Sequence, residues 1–276
     1  MCYGLKNRMD ADHASPHSLA CRLERAEAHA CARFVEARAR LVPGSGSEWI
    51  EIAGAYAMYD GAHSPSTQTF GLGLFQMPTS ADMDKLEAFF KKRHAPVLHE
   101  VSPLADKALL PMLNERGYQP VELTNVMFLP VGGRVSAAMV PKERPQVRVV
   151  SEEERDLFAR TASAGWGADM MHFALAIEDN VSFLVELHGR PIAAGAIAIH
   201  DGVALFAGAS TIPEWRRRGA QQVLFESRLK YAAQAGCDVA MVCSEPGSAT
   251  QRNAERQGFR IAYTRIKWSS VMHQTI

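Results

Sequence analysis

Cysteine is scarce in this chain, and neither charge is in surplus. The five cysteines, Cys2, Cys21, Cys31, Cys237 and Cys243, are odd in number and form no Cys-x-x-Cys. That argues against a disulfide framework or a zinc ribbon and fits a reduced, cytoplasmic setting. Lys+Arg and Asp+Glu balance at 30 each, so the protein as a whole is not built to coat nucleic acid or an anionic membrane. No run of about 18 apolar residues occurs, so no membrane span is expected. The most apolar stretch, Pro191–Ile199, is only strand length. The first 14 residues lack the apolar centre of an export signal, with Asp10, Asp12 and His13 in its place. The ten histidines show no His-Glu-x-x-His or other ligand spacing, and no metal is expected.

What the chain does have is apolar mass. Hydrophobic residues make up 47% of 276, enough for a real core and for one large or two ordinary domains. His17–Leu41 reads as a helix that runs until Pro43-Gly44-Ser45-Gly46. Two strand-like runs follow, Trp49–Tyr59 and Thr67–Phe75. Thr79 with Asp82 three residues later opens a helix whose Met83, Leu86 and Phe90 share a face, closed by Pro96. Val97–Val101 reads as a strand, Ala105–Arg116 as a helix stopped by Gly117, and Val121–Val131 as a strand. Gly71-Leu72-Gly73 is a lone glycine pair, which more often marks a bulge or close backbone approach than a nucleotide site.

Pro141-Lys142-Glu143-Arg144-Pro145 reads as a linker between domains 1–140 and 141–276. Beyond it the pattern restarts. Gln146–Val150 is strand-like, and Ser151 with Glu154 forms a capping box for a helix. A second helical stretch covers Met170–Ile177. Ser182–Leu187, Ile192–His200 and Val203–Ser210 read as a three-strand meander turned at His188-Gly189-Arg190 and Asp201-Gly202. A helix over Arg218–Ala235 places Phe225, Leu229, Ala232 and Ala233 on one face. The strand Val239–Val242, the helix Ala249–Gln257 and the strand Arg260–Trp268 complete the chain. Arg116-Gly117-Tyr118 and Arg256-Gln257-Gly258-Phe259 occupy matching places about half the chain apart, as duplication of one unit would leave them.

The chemistry concentrates in Ser210-Thr211-Ile212-Pro213-Glu214-Trp215-Arg216-Arg217-Arg218-Gly219-Ala220-Gln221. A strand ends, a proline turn follows, and three arginines and a glycine enter a helix. The first amides of a helix lack intrahelical partners and sit on the positive end of its dipole. Such a turn cradles phosphate oxygens, and Gly219 lets the backbone approach them.

These residues resemble the cofactor motif of the GNAT acetyltransferase superfamily, Arg/Gln-x-x-Gly-x-Gly/Ala between strand and helix. Arg216 and Gly219 match it, and Gln221 departs from its small last residue. The resemblance covers about Gln146–Trp268, and the first half looks like a degenerate copy without Arg-x-x-Gly. It implies a mixed α+β fold of two tandem GNAT-like domains. Each is a mostly antiparallel sheet flanked by helices, with a splayed parallel strand pair in the C-terminal domain. It also implies acyl transfer from acetyl-CoA to an amine, with the donor arm held by the backbone of Ser210, Thr211 and Ile212. Arg216, Arg217, Arg218, Gly219, Ala220 and Gln221 would then hold the pyrophosphate, with Asn253 beside the cofactor.

The Tyr that many members carry four residues before the Gly of Gly-Phe is Ala254 here. Ser248, Asn253 and Tyr263 are the nearest alternatives as the acid, and Glu245 the nearest as a base. Ser248 serves equally as a helix cap, and Tyr263 as a packed strand aromatic. Glu186 and His200 are more distant candidates. Cys243 is read as a small buried hydrophobe rather than a nucleophile. The expectation is therefore a small-molecule or peptide amine acceptor, no nucleic-acid or membrane partner, and a monomer or homodimer. A non-catalytic acyl-CoA-binding or sensing protein is the competing reading, motivated by Ala254.

Overall fold

The structure, a computed structural model, is described over residues 15–131, 144–167 and 180–270. The boundary at 140/141, most of the linker around it and the helical stretch Met170–Ile177 lie outside those residues. In chain order the helices are α1 (Pro16–Leu41), α2 (Ser80–Lys91), α3 (Leu109–Glu115), α4 (Arg155–Trp166), α5 (Ala220–Gln234) and α6 (Ala249–Arg256). The strands are β1 (Glu48–Ile52), β2 (Ala55–Tyr59), β3 (Gln68–Phe70), β4 (Leu98–Val101), β5 (Tyr118–Pro130), β6 (Gln146–Val149), β7 (Val181–Leu187), β8 (Arg190–His200), β9 (Val203–Thr211), β10 (Val239–Ser244) and β11 (Arg260–Ser270).

Local chemistry sets most of these boundaries. Ser15 caps α1 by accepting from the Ser18 amide, with Pro16 in the first turn. Thr79–Asp82 and Ser151–Glu154 both form reciprocal capping boxes, the second on a 3-10 turn leading into α4. Three expectations shift. The run Trp49–Tyr59 is a hairpin, because Ala53 (φ 51°) and Gly54 (φ 74°) reverse the chain inside it. The run from Thr67 is strand only over Gln68–Phe70. Gly71 and Gly73 then turn the backbone so tightly that a Cβ on Gly71 would meet the Phe75 ring at 2.6 Å. The glycine pair is thus a close-approach turn. Helix α3 starts only at Leu109, after a turn over residues 103–108.

Among the described residues, eleven strands join one mixed sheet, in the order β1-β2-β3-β4-β11-β5-β10-β9-β8-β7-β6. Two parallel pairs, β3/β4 and β9/β10, lie on either side of the centre. The same order of connections surrounds each: strand, helix, parallel strand, helix, strand. At the centre the final strands are exchanged. β5, from the first half, pairs with β10 of the second, and β11, from the second half, pairs with β4 of the first. The two sheets expected from sequence are therefore continuous.

Helices α1 and α4 cover one face, where Ala28, Ala32 and Phe158 pack with Leu184, Ala194 and Ala196. The other face carries α2 and α3 over the first half and α5 and α6 over the second. On α5 Phe225, Leu229 and Ala232 are buried as expected, but Ala233 is exposed. The buried face instead continues through Val223, Leu224 and Arg228.

Candidate functional site

The parallel pair β9/β10 is in register only from Val203–Leu205 against Val239–Met241. Beyond that β9 runs on to Thr211 and β10 to Ser244, and the strands part. A register shift against β8 between Ala194 and Ala196 bulges β9 at this point, with Gly208 at φ 61°. A side chain there would be strained, so the bulge depends on glycine. The gap opens into a cavity of about 830 Å³ roofed by α5 and α6. From the opposite face α4 closes against the bulge: Trp166 Nε1 donates to the Ala209 carbonyl at 3.1 Å. A Cβ on Gly165 would meet Ser210 at 2.6 Å.

The turn from β9 into α5 forms the cavity rim. A 3-10 turn over Pro213–Trp215 is followed by Arg216 in extended conformation, Arg217 at φ 64° and Gly219 at φ 81°. Gly219 caps α5 without a side chain, and the first helical bond there runs from Val223 N–H to Gly219 O. The amides of Ala220, Gln221 and Gln222 thus precede that bond, at the positive end of the helix. Gln221, the departure from the motif, donates from Nε2 to Thr211 Oγ1 at 2.8 Å and ties the helix start to the strand end. Arg216 is braced on the Thr211 and Gly165 carbonyls at 3.3 and 3.5 Å.

Ser210, Thr211, Arg216, Arg217, Gly219, Ala220, Gln221 and Asn253 all line the cavity. Ile212 and Arg218 do not. Ile212 donates its amide to Ile192 O, and Arg218 turns outward to stack on Trp215 at 4.9 Å. The Ser210 hydroxyl is buried in the lining with no partner among the described residues.

Among the described residues the lining holds four arginines, Arg216, Arg217, Arg228 and Arg256, and no aspartate or glutamate. Arg228 and Arg256 were not singled out from sequence. The available signal for Arg228 was a charged residue three positions after Phe225 on the apolar face of α5. Its side chain is 1% exposed. Among the described residues it reaches only carbonyl oxygens, Leu224 O at 3.4 Å and Ala196 O at 3.5 Å, and it lies over the rings of Phe206 and Phe225. Burial alone pushes its guanidinium down to about 9.

The acid–base candidates do not converge. Asn253 lines the cavity and accepts from Arg256 at 2.9 Å. Ser248 is the N-cap of α6, accepting from the Gln251 amide at 3.2 Å. Glu245 is exposed beyond β10 and outside the lining. Glu186 is bonded to Arg148, and the His200 ring stacks on His29. Tyr263 points to the α1 face instead of the cavity and donates to Glu24 Oε1 at 2.9 Å. Strand alternation decides this, since Tyr263 and Arg265 share a face of β11. Ala254 is fully buried with Phe225 and Phe259 in the core.

Beneath α1 lies a second charged group. Arg265, 1% exposed, meets Glu27 at 2.7 Å, with Glu24 and Glu100 each at 3.4 Å. Cys243 joins it, 3.2 Å from Glu27 Oε2, while also touching the cavity. Burial pushes the Cys243 thiol well above its usual value. Among the described residues no group of His, Cys, Asp and Glu could hold a metal ion, and no helix is long and apolar enough to cross a membrane.

Residues 145–243 match the family model described as an acetyltransferase (GNAT) domain. This part of the chain is a GNAT domain. Solved structures extend the likeness over nearly the whole chain. A GCN5-related N-acetyltransferase from Kribbella flavida is 19% identical, with a TM-score of 0.61 over 90% of this chain and 96% of that one. One from Sphaerobacter thermophilus is 14% identical, with a TM-score of 0.56 over 91% and 92%. A GNAT-family acetyltransferase from Colwellia psychrerythraea is 14% identical, with a TM-score of 0.51 over 80% and 83%. At these identities the likeness is one of fold. No curated protein matches the sequence. The GNAT domain places this chain among acyltransferases, and its matched segment spans β9, the arginine turn, α5 and β10 around the cavity.

Proposed function

We propose that the protein is an N-acetyltransferase that takes its acetyl group from acetyl-CoA and gives it to an amine by direct attack. The observation that carries this reading is a cavity lined, among the described residues, by four arginines and no carboxylate, beside the bare amides of a glycine-capped helix. A diphosphate ester is the ligand such a donor set suits. Arg217 has no acidic partner among the described residues, and the buried Ser210 hydroxyl is unsatisfied, so the site has donors to spare.

When bound, acetyl-CoA supplies an activated thioester. The chain's own residues bind and orient it. Arg216, Arg217 and the Gly219–Gln222 backbone hold the phosphates. The exposed edge of β9 holds the arm, and the backbone near the bulge offers an N–H to the acyl oxygen. Trp166 and Gly165 brace the bulge from the far side of the gap. The acceptor is a small molecule or a peptide amine. Residues 141–276 form the catalytic domain, and residues 1–140 shape the acceptor side through α1.

A second reading, a CoA sensor without turnover, is favoured by one observation: Ala254 is sealed in the core and offers no acid. Calorimetric CoA titration run beside a panel of amines, scored for CoA release, separates the two. Binding with turnover on at least one amine supports the transferase. Binding without turnover on any supports the sensor, and no binding removes both.

A further inference from the structure

Arg228 is a buried cation with no anion beside it among the described residues. Among the described residues, its contacts on β8, β9 and α5 are with Gly195, Ala196, Phe206, Leu224 and Phe225, none of them titratable. Two long carbonyl contacts and two aromatic faces do not repay the loss of water around a guanidinium. Gly195 preserves the space: its missing Cβ would lie 3.5 Å from Arg228 Nη1 and 2.8 Å from Leu224. The residue nevertheless borders the cavity, at its aromatic inner side with Phe206 and Phe225. The tyrosine position of many GNAT members is occupied here by the buried Ala254, so the departing group meets no tyrosine hydroxyl from that position of α6.

We infer that Arg228 is a catalytic residue, the receptor for the negative charge that develops on the coenzyme sulfur when the acyl group leaves. This rests on the reading of the cavity as the acyl-CoA site. In the transfer the amine nitrogen bonds to the acyl carbon. The carbon–sulfur bond breaks with its electron pair going to sulfur, and the surplus amine proton passes to water. Arg228 lowers the energy of that sulfur anion by charge alone, without giving up a proton. A fixed cation in a desolvated pocket does this without reorganising. The cost is carried by the resting protein, which keeps an unpaired charge in its core.

The test uses the full chain and coenzyme A itself, following the thiolate by its ultraviolet absorbance across a pH titration. In the wild type the bound thiol should ionise about one unit or more below its free value, so CoA should bind about tenfold tighter as thiolate than as thiol. Desulfo-CoA should show no such pH dependence. In Arg228→Met the shift should vanish while the thermal midpoint rises, because an unpaired buried charge has been replaced by an apolar chain of similar length. Arg228→Lys should keep part of the shift. An unshifted thiol in the wild type, the same shift in Arg228→Met, or a lower midpoint in that variant each overturns the inference. So does succinyl-CoA binding more tightly than acetyl-CoA in the wild type alone, which would assign the cation to an acyl carboxylate. If the wild type does not bind CoA, the acyl-CoA reading falls first; if CoA binds with its thiol unshifted, only the role of Arg228 falls.

Discussion

The Tyr263 hydroxyl donates to Glu24 Oε1 at 2.9 Å, joining residues 239 positions apart in the sequence. The bond pins α1 to the last strand, beside the ion pair of Arg265 with Glu27. Burial pushes the Glu24 carboxyl up from 4.5 to about 7, against the opposing pull of Arg265. Burial in the first half pushes His99 down from 6.5 to about 4. The two act oppositely on stability. The folded state binds the Glu24 proton more tightly than the unfolded chain, so this contribution is full below about 4.5 and is lost as pH rises through 7. It resists the His99 proton, so that contribution is full above about 6.5 and is lost as pH falls through 4. Between about 4.5 and 6.5 the slopes offset. Wild-type denaturation midpoints should vary little across that window. Glu24→Gln should unmask a rise with pH and His99→Phe a fall, each of roughly 1–3 kcal/mol. Parallel profiles for all three proteins would refute the assignment.

Arg217 is the cleanest probe of the phosphate cradle, because no carbonyl or carboxylate among the described residues engages it. Arg217→Ala should weaken CoA about 10- to 150-fold, the loss of one charge-assisted bond of roughly 1.5–3 kcal/mol. Arg218→Ala, which removes a side chain stacked on Trp215, should change affinity only a few-fold. Gly219→Asp should be the most damaging, since it places a side chain at φ 81° and a negative charge at the cradle. Calorimetry on the three variants gives the order, and equal losses at 217 and 218 would contradict it.

Ala254→Tyr should not restore an acid. The site is fully buried against Phe225 and Phe259, so the larger ring overpacks the core at a cost of about 1–3 kcal/mol. A fall in thermal midpoint is expected, with no gain in CoA release. A gain in turnover with unchanged stability would show that the position opens onto the cavity.

The exchanged strands make each half depend on the other. β11 is flanked on both sides by β4 and β5, and β10 loses its β5 neighbour if residues 1–140 are removed. Residues 141–276 expressed alone should lack cooperative unfolding, and co-expression with residues 1–140 should restore it. Cooperative unfolding of the isolated second half would mean its sheet edge needs no partner.

Direct attack requires both substrates to be bound together, so initial-rate lines should intersect. Cys243 borders the cavity, but burial holds its thiol protonated. Cys243→Ala should keep turnover within a few-fold. Parallel lines together with an acylated Cys243 would establish a covalent route instead.

Sequence alone determined much of this protein. The capping pairs Thr79–Asp82 and Ser151–Glu154, the stops at Gly117 and Gly258, and the turns at Gly189 and Gly202 are local hydrogen-bond and dihedral signals, and the chain obeys them. The arginine turn was legible for the same reason: Gly219 and the helix start are adjacent in the chain. The hairpin inside Trp49–Tyr59 was not, because a largely apolar run masks the two-residue reversal at Ala53-Gly54. Only tertiary structure decided the rest. Which strand neighbours β10 depends on pairing across half the chain, and no local pattern records that β5 and β11 change places. Tyr263 belongs to Glu24 because strand alternation and the docking of α1 point it away from the cavity. Arg228 became visible only when packing removed nearly all water from its side chain and, among the described residues, left no carboxylate beside it, since a charge on an apolar helix face acquires meaning from what surrounds it in space.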